Sequence, residues 1–72
     1  MKCGILKPNK QGRYEIGENV YFTSGEPIEI LTNDKWIPGR IEYSHKHSDY
    51  YFINETKGIC IHGLIGLKAR CS

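Results

Sequence analysis

The sequence predicts an all-β fold, and three observations predict it. Eight glycines and three prolines divide the chain into short apolar runs, at the spacing of roughly 8–12 residues that is typical of small β-sandwiches and barrels. The runs are rich in aromatic and β-branched residues, which favour strands. No stretch repeats its apolar residues at the period of an α-helix.

Four apolar runs occupy the first half of the chain. The fourth begins at Pro27, which has no N–H for a sheet ladder and must open a strand or lie at an edge. Ile28 and Ile30 then point inward and Glu29 outward, because side chains alternate along a strand. The runs cover 3–6, 13–16, 20–23 and 27–32, with a polar turn at 7–12 and a break at 17–19.

Four further runs occupy the second half, and the first of them is the longest. Asn33, Asp34 and Lys35 precede it and predict a hairpin turn. Gly39 interrupts it and predicts a bulge or a sharp bend. Residues 63–66 are too few for a helix and predict one 3₁₀ turn. The runs cover 36–44, 50–54, 59–62 and 67–71.

Taken together, the runs predict a small SH3-like barrel of five to six short antiparallel strands, with one short 3₁₀ turn near the C-terminus. At 72 residues the chain has room for one domain, 1–72. Pairing of the first and last strands would close the sheet and remove its unpaired edges. An OB-type barrel is the alternative, although such folds are usually longer.

Size and charge bear on the class of function. A domain this small has a thin core and little room for a deep cleft, which argues against an enzyme. The basic residues concentrate at the two ends of the chain and the acidic ones between them. If the end strands pair, the basic residues form one patch that is a candidate site for nucleic acid or a nucleotide; its residues are Lys2, Lys7, Lys10, Arg13, Lys68 and Arg70. The alternative, an ordinary solvated surface of mixed charges, is favoured because so few basic residues do not make the strongly basic domain of a dedicated nucleic-acid binder.

Cysteine usage and the N-terminus predict a cytoplasmic protein. Cys3, Cys60 and Cys71 are an odd number without metal-type spacing, so reduced thiols are expected. Pairing of the end strands leaves a bridge between Cys3 and Cys71 open. No apolar run of signal-peptide or membrane-spanning length is visible, and we expect no membrane association.

The outward face of the longest run is the most unusual feature. If Ile37 and Ile41 point inward, then Trp36 and Arg40 point outward, and Trp, Tyr and Arg are enriched at binding hot spots. The alternative is that Trp36 caps the open end of the barrel. The predicted contact face consists of Trp36, Arg40, Glu42, Tyr21 and Tyr50, with Tyr51 as an alternative to the other tyrosines.

Charged pairs on this face also have a structural explanation. A cross-strand ion pair, Arg40 with Glu29 or Glu42 with Arg70, is ordinary sheet chemistry. No nucleophile, carboxylate pair or phosphate loop stands in a catalytic context. We therefore expect no catalytic residues and no cofactor.

Two pairs of residues have the side chains that zinc prefers. His45 with His47, and Cys60 with His62, are each two positions apart. Their spacing matches no familiar zinc module, and we expect the two pairs on opposite sides of the barrel wall. The prediction is no metal.

Several segments together resemble a known family. They are Gly4 and Leu6, Gly12-Arg13-Tyr14, Ser24-Gly25, Ile28-Glu29-Ile30, Trp36-Ile37-Pro38-Gly39-Arg40-Ile41-Glu42-Tyr43, Tyr50-Tyr51-Phe52 and Gly66-Leu67-Lys68-Ala69-Arg70. This pattern resembles a small single-domain family of unknown function from Gram-positive bacteria and their phages and mobile elements. The resemblance implies an accessory protein that acts by stoichiometric binding, for example as an inhibitor of a bacterial defence system.

Three functions remain open at this point. The first is a non-enzymatic module that binds a protein partner through the Trp36 and Arg40 face. The second is a barrel that binds nucleic acid or a nucleotide through its basic ends. The third is an assembly protein that self-associates, for instance as a homodimer.

Overall fold

A computed structural model describes residues 2–10, 12–17 and 20–71 of the chain. These residues contain no helix long and apolar enough to cross a bilayer. They form nine strands, more than the five to six predicted: β1 Lys2–Ile5, β2 Lys7–Pro8, β3 Tyr14–Gly17, β4 Val20–Tyr21, β5 Pro27–Thr32, β6 Lys35–Ser44, β7 Asp49–Asn54, β8 Ile59–Ile61 and β9 Lys68–Cys71.

The strands form two antiparallel sheets. One has six strands in the order β1-β9-β5-β6-β7-β8, and the other has three in the order β2-β3-β4. The chain passes from the first sheet to the second at Leu6, whose N donates to Leu67 O at 2.8 Å and whose O accepts from Gly66 N at 2.9 Å. The first predicted run, 3–6, corresponds to β1, and β2 lies in the segment predicted as a polar turn. The all-β class of short antiparallel strands is confirmed.

Pairing of the first and last strands is also confirmed. In β1 and β9, Lys2 lies opposite Cys71 and Cys3 lies opposite Arg70. Cys3 and Cys71 therefore sit one register position apart, on opposite faces of the sheet, and both are free thiols. The bridge left open between them does not form.

The hairpin predicted at Asn33 is a two-residue turn. Thr32 pairs with Lys35, and Asn33 and Asp34 have φ of 50° and 63°. Positive φ at both central residues is the geometry that matches the twist of a β-hairpin, and Asn and Asp tolerate it better than other residues with a side chain. The predicted turn at 7–12 and break at 17–19 include positions 11, 18 and 19, which lie outside the described residues.

Gly39 does not mark a bulge. The pairing of β5 with β6 runs through it without a register shift, and an irregularity occurs instead in β3, between Glu15 and Gly17. A Cβ at position 39 would lie 2.5 Å from Phe52 Cζ and 2.5 Å from Ile53 O. Glycine is needed here because the phenyl ring of Phe52 occupies the space.

The segment predicted as a 3₁₀ turn is a β-turn. Leu67 N donates to Leu64 O at 3.1 Å, and Gly66, the third residue of the turn, has φ 90°. A positive φ there is typical of a type II turn and stops a 3₁₀ helix from continuing. The turn directs Leu64 inward, where its side chain is fully buried.

The core lies between the two sheets. Ile41 and Phe52 of neighbouring strands pair directly within it, and Tyr14 and Ile16 reach it from the smaller sheet. The buried hydrophobic side chains of the described residues are Leu6, Tyr14, Ile16, Phe22, Ile28, Ile30, Ile41, Phe52, Leu64 and Ala69.

A side-chain hydrogen bond ties the two sheets together. The Tyr14 hydroxyl donates to the carboxylate of Asp49, with 3.3 Å to Oδ1 and 3.4 Å to Oδ2. Burial raises the pKa of Tyr14 above its ordinary value of 10.0, and the nearby negative charge and the hydrogen bond raise it further. The neutral hydroxyl is therefore the form that the fold favours.

This pKa predicts a loss of stability in alkali. Below the pKa of tyrosine in the unfolded chain, both states keep the proton and the free energy of unfolding is unaffected. Above about pH 10 the unfolded chain loses the proton first, so stability falls until the pKa of folded Tyr14 is passed. In urea unfolding at pH 9 and 11, Tyr14→Phe should lose less stability across this interval than the wild type. Tyr21→Phe, at an exposed ring, is the control and should follow the wild type; a wild-type slope in Tyr14→Phe would refute the assignment.

Candidate binding surface

The outward face of the six-stranded sheet is the surface that sequence analysis singled out, and we call it the outer face. Ile41 of β6 is fully buried and Ile37 packs against the core. The alternating residues of β6 therefore lie on the outer face, as predicted. These residues are Trp36, Pro38, Arg40 and Glu42.

Arg40 holds two carboxylates on this face. Its Nε donates to Glu42 Oε2 at 2.7 Å, and its Nη2 pairs with Glu55 Oε1 in the turn after β7. Ser24 Oγ donates to Glu42 Oε1 at 2.7 Å. The hydrogen bond from Arg40, followed by that from Ser24, lowers the pKa of Glu42, so this carboxylate stays ionised in mild acid.

Arg70 holds the third carboxylate and covers the tryptophan. Its Nε donates to Glu29 Oε1 at 2.7 Å, and its guanidinium carbon lies 4.2 Å from the centre of the Trp36 ring. Trp36 is half-buried under this cation. It therefore lies on the outer face, as predicted, with one side of its ring covered by Arg70.

The ion pairs have different partners from those predicted. Arg40 lies opposite Pro27 on β5 and Ile53 on β7, so no carboxylate faces it across either strand. It pairs instead with Glu42 of its own strand and with Glu55 in the turn after β7. Glu29 lies opposite Arg70 on β9 and takes that arginine.

A depression lies between the two arginines. Pro27, Pro38 and Gly39 line both of its lobes, because proline and glycine are short beside the charged side chains around them. One lobe, of about 530 Å³, extends to Arg40 and Asn54 and is also lined by Gly25, Ile53, Glu55 and Thr56. The other, of about 280 Å³, extends to Arg70 and is also lined by Glu26, Ile28, Glu29 and Cys71.

Two interactions fix the walls of the depression. Asn54 Nδ2 donates to Pro38 O at 2.7 Å, which joins β7 to β6 beside the larger lobe. Thr23 Oγ1 donates to Glu26 Oε1 at 2.7 Å beside the smaller lobe. The size of the chain predicted little room for a deep cleft, and no signal in the sequence marked Pro27, Glu26 or Glu55 as site residues.

The predicted tyrosines do not join the outer face. Tyr50 lies opposite Tyr43 and contacts Tyr14 and Tyr43 edge-on, with ring centres 6.3 Å and 5.0 Å away. It packs against the core, on the other side of β7. Tyr51, the alternative, lies opposite Glu42 and belongs to the outer face.

Tyr21 lies on the smaller sheet. Its ring is 49% exposed on β4, and the guanidinium of Arg13 lies 5.8 Å from the ring centre. Tyr21 is therefore a separate aromatic surface from Trp36.

The six predicted basic residues are distributed over both sheets. Lys2 and Lys68 are exposed on the paired strands β1 and β9, but Lys2 lies opposite Cys71, three residues from Lys68, so the two side chains point to opposite faces of the sheet. Lys7 lies on β2, opposite Glu15 of β3. Arg70 already holds Glu29 and Trp36, while Arg13 lies beside Tyr21 and Lys10 in the turn before it.

The histidines and Cys60 lie closer together than predicted. The rings of His47 and His62 are centred 4.8 Å apart, so the two pairs do not lie on opposite sides of the wall. His62 also stacks on Tyr51 at 5.2 Å and lies 3.5 Å, Nε2 to Sγ, from Cys60. The hairpin between β6 and β7 brings His47 next to His62, which directly follows β8. Within the described ranges, no three His, Cys, Asp or Glu side chains form a group that could hold a metal ion.

The fold and this surface define a small all-β domain whose outer face carries two arginines, their carboxylates and a half-buried tryptophan. Over residues 3–71 the chain matches the family described as Domain of unknown function (DUF5348), and it belongs to that family. The predicted resemblance to a small family of unknown function is thereby confirmed. No curated protein and no solved structure matches the chain.

Proposed function

We propose that this protein is a non-enzymatic module that binds a protein partner through its outer face. The observation that carries the proposal is the depression between Arg40 and Arg70, with Trp36 beside it. Both arginines are fixed by carboxylates, so the surface is ordered before binding and a partner loses little entropy in meeting it. Arg and Trp are among the residues that contribute most to protein interfaces.

The charge of the outer face supports a protein partner over nucleic acid. Around the depression two guanidinium groups stand against four carboxylates. A nucleic-acid surface needs an excess of positive charge to meet the phosphates. The carboxylates belong to Glu26, Glu29, Glu42 and Glu55.

The resemblance supports a setting for this binding. Small accessory proteins of phages and mobile elements often act by binding a partner in fixed stoichiometry. We propose that this protein does so in the cytoplasm of a Gram-positive bacterium, with a component of a defence system as its partner.

Capture experiments with paired variants test the proposal. The tagged wild type should retain a specific protein from a Gram-positive lysate. The double variant Trp36→Ala, Arg40→Ala should bind that protein at least about tenfold more weakly, as expected for the loss of two hot-spot residues. Tyr21→Ala with Glu15→Ala, on the smaller sheet, is the matched control and should retain it. Thermal unfolding and circular dichroism check that each variant is folded.

The identity of the captured protein tests the setting. A defence component supports it, and a housekeeping protein contradicts it. If the Trp36 and Arg40 variant is folded and retains its partner as the wild type does, the outer face is not the contact surface.

A second candidate function is nucleic-acid or nucleotide binding by the smaller sheet. The observation that favours it is the exposed Tyr21 ring with Arg13 beside it, a pair suited to a stacked base. Binding of a labelled single-stranded oligonucleotide should then weaken steeply with salt. Self-association remains a prediction, and a chain that is strictly monomeric in light scattering at high concentration would contradict it.

A further inference from the structure

The depression on the outer face carries more carboxylates than guanidinium groups, and each guanidinium already has a carboxylate partner. Arg40 is bound to Glu42 and Glu55, and Arg70 is bound to Glu29 and lies on Trp36. Glu29 and Glu55 each meet their arginine through Oε1. An ionised carboxylate accepts several hydrogen bonds through its two oxygens, so both residues keep acceptor capacity toward the depression.

The floor of the depression is apolar where its rim is charged. Pro27, Pro38 and Gly39 line both lobes. Long basic side chains lay their methylene stems on such apolar surface and keep the charged group at its polar edge. Glu55 stands at the edge of the larger lobe, and Glu26 and Glu29 stand at the edge of the smaller one.

An anionic group fits the same place poorly. Both arginines already have carboxylate partners, and four carboxylates surround the depression, so an anion would add negative charge where it is already in excess. Like charges held together in this way repel, whereas a cation meets the excess of carboxylates without breaking an existing pair.

We propose that the depression binds a basic side chain, arginine or lysine, that a protein partner inserts over Pro27 and Pro38 toward Glu29 or Glu55. This inference rests on the proposed function and specifies the chemistry of the partner. It defines the outer face as an acceptor of cationic segments, with Trp36 and Arg70 beside the smaller lobe.

Amide NMR of the isotope-labelled full chain tests the inference without knowledge of the partner. The probes are N-acetyl-arginine methylamide and N-acetyl-glutamate methylamide, each titrated to the millimolar range. The arginine probe should give saturable shifts grouped at Gly25, Gly39, Asn54 and Arg70, and the glutamate probe should not. Added salt should weaken the binding, because the pairs are partly exposed.

A charge-removing variant sharpens the test. Glu29→Gln with Glu55→Gln keeps the size of both side chains and should weaken binding of the arginine probe by at least about threefold, as for the loss of two exposed ionic contacts. Glu15→Gln, on the smaller sheet, removes one charge elsewhere and should leave the affinity unchanged. If the double variant fails to fold, the comparison of the two probes on the wild type still shows whether the depression prefers a cationic side chain.

Three results would overturn the inference. They are tighter binding of the glutamate probe at this site, shifts that fall outside the depression, and an affinity for the arginine probe that a folded double variant retains. Loss of the protein partner in the Trp36 and Arg40 variant, together with a failed arginine titration, would leave the proposed function standing and remove only the cationic specificity. Specific shifts with the arginine probe, together with an unaffected partner, would contradict the proposed function.

Discussion

Replacing Gly39 with alanine is expected to lower the free energy of unfolding by about 3 kcal/mol, at the upper end of the usual cost of an overpacked core. The added Cβ would lie 2.5 Å from Phe52 Cζ and 2.5 Å from Ile53 O. Phe52 is fully buried, and a close-packed interior gives its ring no space to move into. Urea unfolding followed by the fluorescence of Trp36, the single tryptophan, measures the loss.

A second substitution tests the physical reason for this loss. In the background of Phe52→Leu, which removes the outer atoms of the ring, Gly39→Ala should cost less than it does in the wild type. The cost should not vanish, because the carbonyl of Ile53 still opposes the Cβ. Equal costs in the two backgrounds would show that the ring is not the obstacle.

Leu64→Ala is expected to lower the free energy of unfolding by about 3 kcal/mol, whereas Ile65→Ala should change it by less than about 0.5 kcal/mol. The two neighbours are both large and apolar, but Leu64 is fully buried and Ile65 is 65% exposed. Truncation of Leu64 leaves a cavity in the core, and truncation of Ile65 removes a side chain from water. Each variant is therefore the control for the other.

The size of the domain makes the Leu64 effect easy to measure. A chain of this length has a total stability of about 4–11 kcal/mol, so a loss of about 3 kcal/mol removes a large share of it. Thermal unfolding should show a clear drop in midpoint for Leu64→Ala and almost none for Ile65→Ala. Similar midpoints for the two variants would contradict the burial of Leu64 in the turn.

The most accurate sequence predictions were those that depend on the conformational preferences of neighbouring residues. The bounds of β5 match the predicted 27–32, because Pro27 can only open a strand and Asn33 with Asp34 suit the turn that ends it. The outer residues of β6 also followed from alternation, because Ile37 and Ile41 set the phase.

Register is what the sequence could not provide. The ion-pair partners of Arg40 and Arg70 depend on which residue of β5 lies opposite each of them, and Pro27 rather than a carboxylate faces Arg40. The depression has the same origin, because it forms where residues of different strands leave a gap. The alternation of side chains along one strand does not show which residue lies opposite on the neighbouring strand.

Tyr50 and Tyr51 show how a shift of one position in the alternation along a strand changes the predicted site. Adjacent residues of a strand point to opposite faces. Phe52 is fully buried, and counting back from it along β7 places Tyr51 on the outer face and Tyr50 inside. The contact between His47 and His62 had no such signal, because the path of the hairpin loop decides it.

The paired strands β1 and β9, which we call the seam, also bear on how the chain folds. Among the described pairings of the six-stranded sheet, β1 is bonded to β9 alone, whereas β5 to β8 join as successive hairpins. During synthesis β1 leaves the ribosome before every other described strand, and its partner is the latest of them. Hairpins form early because their ends are near in the chain, but the seam requires closure of a long loop. The strand made first therefore has to wait for the strand made last before it can be incorporated.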